Sequence, residues 1–295
     1  MEPAPFRCGA IALIGRPNVG KSTLQNALLG QKISITSRKP QTTRRSLRGV
    51  LTTATAQFIF VDTPGFQTRH RGALNRAMNR SVRSVLGEID VVALVVEAGQ
   101  FGNEDRAVLK LAPAGTALFL VVNKIDAVEH SRLPAFLKQA AGEAEFDEIV
   151  PVSARRSKGL DELLRTLERY LPEQPAIYPA DEVTDRNERL LAADFIREKL
   201  FRYLGQELPY GADVEIEKFE EQRGVRRIYA SIVVEKEGHK AIVIGVRGAK
   251  LKEIASAARL DMEKLFGGKV YLETWVRIRG GWTDDEAALR RMGYG

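Results

Sequence analysis

One stretch of eight residues has the residue types needed to hold the phosphates of a nucleotide. Residues 15–22 fit the pattern G-x-x-x-x-G-K-[ST] and lie between an apolar strand-like run and a helix-like run. Glycines let the backbone direct its amides at phosphates, and the N-terminus of the following helix adds positive potential. Lys21 would supply a point charge to the β- and γ-phosphates, and the Ser22 hydroxyl would ligate magnesium. The loop residues expected at the nucleotide are Gly15, Arg16, Pro17, Asn18, Val19, Gly20, Lys21, Ser22 and Thr23.

A second polar group follows another apolar run. Asp62-Thr63-Pro64-Gly65 comes directly after the run that ends at Val61. An aspartate at a strand end can hold magnesium directly or through water, and a glycine can present its amide to a γ-phosphate with no side chain in the way. Alone, D-x-P-G is an ordinary turn, but after a phosphate-binding loop it indicates a catalytic site. We expect all four residues at the nucleotide, with Lys21, Asp62 and Gly65 acting on the transferred phosphate.

A third motif distinguishes guanine from adenine. Asn123-Lys124-Ile125-Asp126 closes an apolar run, and the Asp126 carboxylate can accept hydrogen bonds from N1–H and the 2-amino group of guanine. Adenine offers neither donor and would leave the carboxylate unpaired, which is costly. Lys124 can lay its stem on the base, while Asn123 ties neighbouring loops together. Ser153-Ala154 would add a backbone amide for the guanine O6, and as a motif it is weak.

These motifs stand at the ends of short apolar runs that alternate with helix-like stretches. The runs are Ala10–Ile14, Ala56–Val61, Val91–Val96, Leu118–Val122 and Ile149–Val152. This alternation predicts an α/β domain with a mostly parallel sheet and helices on both faces. Ligands of such sheets bind beyond the carboxyl ends of the strands, which is where each motif falls.

Prolines at 172, 175 and 179 interrupt this pattern and indicate a linker. We interpret residues 1–172 as a nucleotide-binding domain, 173–185 as the linker and 186–295 as a smaller α+β domain. Asp185 and Glu188 have capping-box spacing at the start of a helix. The elements expected after that helix are strands at Val214–Phe219, Arg226–Val234 and Ala241–Ile244, a helix from about Lys250 to Phe266, and a strand from Val270 to Ile278.

Composition limits the remaining possibilities. The chain has 295 residues, a formal charge of +7 and one cysteine, Cys8, which cannot form an internal disulfide and suits a reducing cytosol. The longest apolar runs have strand length and are far too short to span a bilayer. Between Gln31 and Arg48 there are six basic residues and no acidic one, a pattern that suits a polyanionic partner or simply a solvated face.

The order of the phosphate, magnesium and guanine motifs resembles that of the small GTPase superfamily of translation-associated switch proteins. The resemblance implies a GTPase that binds GTP or GDP with Mg²⁺, and it makes Gln41–Arg44 the first switch. Thr43 is then the expected magnesium and γ-phosphate ligand beside Ser22 and Asp62, with Thr42 as its competitor; a solvated polar loop is the alternative. Phe66 stands where Ras-type enzymes carry a water-orienting glutamine. Because a phenyl ring cannot orient water, we expect slow hydrolysis without a partner.

Gly245-Val246-Arg247-Gly248 resembles the G-X-X-G loop of KH domains, which clamps about four nucleotides over an apolar groove. A lone G-x-x-G is a weak signal, but its position before a basic helix and after a helix and two strands strengthens it. The residues expected to contact nucleic acid are Gly245, Val246, Arg247, Gly248, Lys250 and Lys252.

The layout of the whole chain resembles that of a family of bacterial Ras-like GTPases with a C-terminal KH domain of type II. The resemblance extends over nearly the full length, including Pro40–Arg45, Glu207–Tyr210, Val243–Lys250 and Gly281-Trp282. It implies binding near the 3′ end of small-subunit ribosomal RNA, a role in maturation of the small ribosomal subunit, and a cytoplasmic protein partly associated with the inner membrane. We expect a monomer.

Several alternatives stay open. The chain could be an RNA-binding assembly factor whose nucleotide is structural, or a peripheral membrane GTPase, although no amphipathic anchor is evident. Asn18 could help hold K⁺ near the phosphates or only shape its loop. The face of the last strand that carries Tyr271 and Trp275 could stack bases, cap the core or pack on the first domain.

Overall fold

The computed structural model describes residues 5–37, 39–67, 72–205 and 208–294 of the chain. It divides into two compact units. The first comprises residues 1–34, 43–71 and 75–185, and the second comprises residues 35–42, 72–74 and 186–295.

The first unit is built on a six-stranded sheet whose strands follow the order β2-β3-β1-β4-β5-β6. Only β2 is antiparallel to its neighbour. Its strands are β1 (Arg7–Ile14), β2 (Leu47–Thr52), β3 (Ala56–Asp62), β4 (Val91–Glu97), β5 (Ala117–Asn123) and β6 (Glu148–Pro151). Its helices are α1 (Lys21–Leu29), α2 (Ala73–Val85), α3 (Asn103–Leu109), α4 (Leu133–Ala141) and α5 (Leu160–Glu168).

Both faces of this sheet are buried, and successive residues of one strand serve opposite faces. On β4, Val91, Ala93 and Val95 pack with residues of α1 and α5. Val92, Leu94 and Val96 pack with residues of α2, α3 and α4 on the other face. Each fully buried aliphatic side chain contributes about 1.5–3 kcal/mol to the stability of the fold. The two buried layers therefore hold the strand ends in place.

The five apolar runs expected to be strands became β1, β3, β4, β5 and β6, and the mostly parallel sheet is confirmed. The strand β2 was not expected from the sequence; it pairs with β3 from Leu47↔Asp62 to Thr52↔Gln57. Its residues LRGVLT mix charged, polar and apolar types, so their pattern alone does not distinguish an edge strand from a loop.

Residues 173–185, expected to be a linker, follow the first unit along the edge of its sheet. The N–H of Val50 on β2 donates to the Val183 carbonyl at 2.8 Å. The Thr184 hydroxyl donates to the Arg48 carbonyl at 2.7 Å. This segment is therefore hydrogen-bonded to a strand instead of being freely solvated.

The second unit has a three-stranded sheet, ordered β7-β8-β9, with β7 antiparallel and β9 parallel to β8. Its strands are β7 (Ala212–Gln222), β8 (Val225–Val234) and β9 (Lys269–Ile278), and its helices are α6 (Glu188–Tyr203), α7 (Glu237–Ile244), α8 (Ala249–Phe266) and α9 (Glu286–Arg291). The order α-β-β-α-α-β is that of a type II KH domain. No helix in the described ranges has both the length and the apolar character to cross a bilayer.

Two expectations for this unit were wrong. Ala241–Ile244 is the last turn of α7 and not a strand. The parallel pairing of β8 with β9 requires a crossover connection, and α7 and α8 provide it. The cap of α6 is Asn187, whose side chain accepts from the Leu190 N–H at 3.0 Å, and not Asp185, whose carboxylate lies 3.5 Å from the Arg48 guanidinium.

Candidate nucleotide and nucleic-acid sites

The loop after β1 leads into α1, and its backbone at Gly20 adopts a conformation that suits only glycine. Gly20 has φ 101°, and a Cβ there would lie 2.4 Å from Nδ2 of Asn123. The Lys21 side chain is buried, and its ammonium donates to the carbonyls of Gly15 at 3.0 Å and Arg16 at 3.1 Å. Burial lowers the pKa of Lys21 to about 8. The ammonium is thus held inside the loop, where a phosphate oxygen would be its natural partner.

Three oxygens converge where magnesium is expected. The Ser22 hydroxyl donates to Oδ2 of Asp62 at 2.6 Å and lies 2.8 Å from the hydroxyl of Thr43, which in turn lies 3.3 Å from the same carboxylate oxygen. Burial raises the pKa of Asp62, against the opposing effects of Lys21 and the hydroxyls of Ser22, Thr43 and Ser34. Its other oxygen, Oδ1, is buried without a hydrogen-bond partner of normal geometry among the described residues.

This all-oxygen set fits Mg²⁺, which takes hard oxygen ligands and fills its remaining positions with water and phosphate oxygens. Among the described residues there is no cluster of three or more His, Cys, Asp and Glu side chains that would suit another metal. The structure separates the two candidate threonines, because the Thr42 hydroxyl donates to the Lys39 carbonyl at 2.8 Å instead of approaching Asp62.

The loop after β3 presses against the phosphate-binding loop. A Cβ on Gly65 would lie 2.7 Å from Cα of Pro17, so the two backbones meet without room for a side chain. The next residue, Phe66, is buried in the apolar layer between the sheet and α2–α4. Gln67 donates from its side chain to Oδ1 of Asn75 at 2.9 Å. Phe66 therefore packs in the core, and Gln67 is hydrogen-bonded to α2.

The loops after β5 and β6 meet at the expected guanine site. Asn123 is buried; its amide donates to the Val19 carbonyl at 2.9 Å and accepts from the Ala154 N–H at 3.0 Å, which ties three loops together. The Ser153 hydroxyl donates to Oδ1 of Asp126 at 2.5 Å, and this bond lowers the pKa of Asp126. The carboxylate is thus oriented and ionised at neutral pH, as recognition of the two guanine donors requires.

In the second unit, the loop between α7 and α8 has three residues with left-handed backbone. Gly245, Arg247 and Gly248 have φ of 70°, 49° and 78°. A Cβ on Gly245 would lie 2.6 Å from Cβ of Lys250. Val246 is 83% exposed, the most exposed of the large apolar side chains described. The loop thus projects an apolar tip and Arg247 into solvent, while the Lys250 ammonium pairs with Glu253 at 2.7 Å.

A groove of about 350 Å³ begins at this loop and runs between α8 and β9. It is lined by apolar residues, two basic residues, two hydroxyl residues and one acidic residue: Leu251, Ala255 and Leu272; Lys252 and Arg259; Ser256 and Thr274; and Glu273. The sequence analysis named Lys252 but not Ser256, Arg259 or Thr274. Arg259 and Lys252 are seven residues apart, the spacing of one helical face, and that spacing could have revealed the former.

Fold and site together define a P-loop GTPase joined to a KH-type domain. Residues 10–124 match the family model described as 50S ribosome-binding GTPase, and residues 207–283 match the KH domain model. The chain is 53% identical over 294 residues to GTPase Era of Chromobacterium violaceum, with 99% of each chain covered. It is 52% identical over 295 residues to GTPase Era of Nitrosomonas eutropha, with 100% of each covered. The chain belongs to the GTPase Era family and is a GTP-hydrolysing enzyme.

Solved structures of Era proteins support the same family and fold. A variant of Aquifex aeolicus Era bound to GDP.AlF4- is 35% identical to this chain, with a TM-score of 0.95, and the match covers 98% of this chain and 100% of that one. Era in complex with MgGDPNP and nucleotides 1506-1542 of 16S ribosomal RNA has the same identity and TM-score, with 98% and 99% covered. The expected family and fold class are confirmed.

Proposed function

We propose that this chain is a GTP-dependent switch that binds small-subunit ribosomal RNA near its 3′ end and acts in maturation of the small ribosomal subunit. The observation that carries the proposal is the presence, in one chain, of an oriented carboxylate at Asp126 and a G-X-X-G loop that opens onto a groove lined by apolar, basic and hydroxyl side chains. The RNA contact extends to this chain what a solved relative binds, Era in complex with nucleotides 1506-1542 of 16S ribosomal RNA, and the role in maturation is what the family resemblance implies.

On the nucleotide side, Lys21 and the loop amides would hold the β- and γ-phosphates. Ser22, Thr43 and Asp62 would hold Mg²⁺, which supplies charge neutralisation to the phosphates when bound. The N–H of Gly65 would face the γ-phosphate, so loss of that phosphate removes a contact of the loop that follows β3. Neither of the two residues that follow Gly65 is placed to orient the attacking water: Phe66 is buried in the core, and the Gln67 side chain is hydrogen-bonded to Asn75. Slow hydrolysis that an RNA or ribosomal partner accelerates is the expected consequence.

On the RNA side, the exposed loop would approach the phosphate backbone closely because its glycines carry no side chain. Bases would lie on Leu251, Ala255 and Leu272, while Lys252 and Arg259 neutralise phosphates at the edge. Ser256 and Thr274 provide hydroxyls that can read base edges.

Two arginines of the second unit provide a matched test of this RNA contact. Arg247 lies in the G-X-X-G loop and Arg223 in the turn between β7 and β8; both are exposed, with φ of 49° and 54°. Aspartate tolerates this left-handed backbone, so either substitution reverses one charge at similar backbone cost. We expect Arg247→Asp to weaken binding of an RNA from the 3′ end of small-subunit ribosomal RNA at least tenfold, and Arg223→Asp to change it less than twofold.

The measurement is RNA affinity by fluorescence anisotropy at several salt concentrations. The salt slope should flatten in Arg247→Asp only, because fewer counterions are released. Equal losses in both variants would show that general charge and not the loop carries binding. Wild-type affinity in a folded Arg247→Asp variant would place the RNA site elsewhere, first of all on the face with Trp275.

Three narrower properties also belong to the proposal. The resemblance implies peripheral association with the inner membrane, which flotation with anionic vesicles tests. A monomeric state is the favoured expectation, which sedimentation tests. Asn18 stands in the phosphate-binding loop with φ 67°, where its amide oxygen could help hold K⁺. Equal GTP turnover in K⁺ and Na⁺, with no added effect of Asn18→Ala, would contradict the potassium role.

A competing function is an assembly factor in which the nucleotide only stabilises the fold. The rate of GTP hydrolysis distinguishes this assembly factor from a GTP-dependent switch. Stimulation of GTP hydrolysis by RNA or by small ribosomal subunits is expected for the switch, whereas a structural nucleotide would stay bound and unhydrolysed under the same conditions.

A further inference from the structure

An acidic residue outside the nucleotide motifs pairs with the lysine of the guanine motif. Glu97 is the last residue of β4, and its Oε2 accepts from the Lys124 ammonium at 2.7 Å. Lys124 has φ 63°, an uncommon conformation for a lysine, which the tight loop after β5 imposes. The side chains of the pair are 34% and 24% exposed for Lys124 and Glu97, so the ammonium is held at the rim of the site and not deep in the core.

The same carboxylate oxygen faces the phosphate-binding loop. The guanidinium of Arg16 lies 3.7 Å from Oε2 of Glu97 and donates to the side-chain carbonyl of Gln100 at 2.9 Å. Nε of Arg16 also lies 3.2 Å from Oδ1 of Asp105, a buried residue of α3. The other carboxylate oxygen of Asp105 accepts from the Gly102 N–H at 2.9 Å. Burial raises the pKa of Asp105, with the Gly102 bond and Arg16 opposing the shift. The Glu97 carboxylate therefore lies between the Lys124 ammonium and the Arg16 guanidinium.

We propose that Glu97 is a positioning residue for nucleotide binding, which holds the Lys124 stem against the plane of the base. The inference rests on the proposed function and on the expectation from the sequence that Lys124 lays its stem on guanine. Because the Lys124 ammonium is held by Glu97, its four-carbon stem has fewer accessible rotamers before the base arrives, so less side-chain entropy is lost on binding. The Arg16 guanidinium is also held by Gln100 and Asp105, so it keeps these two contacts when Glu97 is changed.

The effect should appear in the rate at which the nucleotide leaves. A partly exposed ion pair contributes modestly, so Glu97→Gln should speed dissociation of tritiated GDP about two- to fivefold. Lys124→Gln removes the cation and should also speed it. If Glu97 acts through Lys124, the double variant should dissociate no faster than Lys124→Gln alone, within about 1.5-fold.

The design separates positioning from a merely structural role. Glu145→Gln, a change of the same type at an exposed acid of the same unit, is the control and should dissociate GDP like wild type. Multiplicative effects of Glu97→Gln and Lys124→Gln, or a GDP off-rate unchanged in Glu97→Gln, would overturn the inference. Failure of the wild-type protein to retain tritiated GDP would instead contradict the proposed function itself. Thermal unfolding of nucleotide-free protein distinguishes a folded variant with a faster off-rate from a destabilised one.

Discussion

Asp126→Asn is expected to remove most of the affinity for guanine nucleotides. The carboxylate accepts from Ser153 at 2.5 Å through Oδ1, and the Arg156 guanidinium lies 3.9 Å from Oδ2. These contacts orient the group, and its lowered pKa keeps it ionised at and below neutral pH. In the Asn variant one acceptor becomes an NH₂ donor that faces the two donors of guanine, and the remaining hydrogen bond loses its charge assistance.

The magnitude follows from the cost of losing a charge-assisted hydrogen bond and leaving a desolvated donor unpaired. That cost is about 2–3 kcal/mol, which corresponds to a loss of GTP affinity of about 30- to 150-fold. Xanthosine nucleotides present an acceptor at the same edge, so the variant should bind XTP better than the wild type does. Asp161→Asn, at an exposed acid in the first turn of α5, should change neither affinity.

Isothermal titration with non-hydrolysable analogues of GTP and XTP measures both affinities directly. The pH dependence provides a second check: because the pKa of Asp126 is lowered, wild-type affinity should not fall between pH 8 and 5 through this group. GTP binding by Asp126→Asn at wild-type strength would refute the assignment of guanine recognition to this carboxylate, as would a gain for XTP in Asp161→Asn.

Three further outcomes are expected. Since the pKa of Lys21 is lowered to about 8 from 10.5, the unfolded state binds more protons between these values, so the unfolding free energy of nucleotide-free protein should rise with pH there. Urea denaturation at pH 7.5 and 10 should show this rise lost in Lys21→Met; an equal rise in the variant would contradict the buried ammonium. Phe66→Leu should cost about 1–2 kcal/mol of stability and leave kcat at saturating GTP unchanged, because the ring packs in the core; folded protein without turnover would show that the ring has a catalytic role. Finally, if a GTP analogue tightens RNA binding relative to GDP, RNA must tighten the analogue by the same factor, with a typical coupling of about 1–3 kcal/mol; equal RNA affinity with the analogue, with GDP and without nucleotide would rule out a switch.

The nucleotide motifs could be predicted because their chemistry is local. A phosphate-binding loop works through the backbone amides of consecutive residues, so Gly15, Gly20, Lys21 and Ser22 are recognisable without knowing what packs around them. The strands that carry these loops were visible for a similar reason. A strand buried on both faces is a continuous apolar run, and five such runs coincide with the parallel strands.

Where a segment suits two local structures about equally well, the sequence alone did not decide between them. Ala241–Ile244 is an apolar run short enough for either a strand or a helix turn, and the crossover between β8 and β9 made it helical. Asp185 and Asn187 are both residue types that cap helix N-termini well. In the structure Asn187 caps α6, and the Asp185 carboxylate lies near the Arg48 guanidinium. The edge strand β2 owes its conformation to pairing with β3.

The sequence by itself was enough to predict a guanine nucleotide for the first domain, because the motifs for the phosphate, magnesium and guanine contacts are short and each follows an apolar strand-like run. Only the tertiary structure decided which side chains support those contacts. It brought Thr43, and not Thr42, to Asp62. It also set Glu97 against Lys124, and it placed Arg259 on the groove wall. Each of these depends on residues far apart in the chain, and their distance is fixed by how strands and helices pack, which no local pattern encodes.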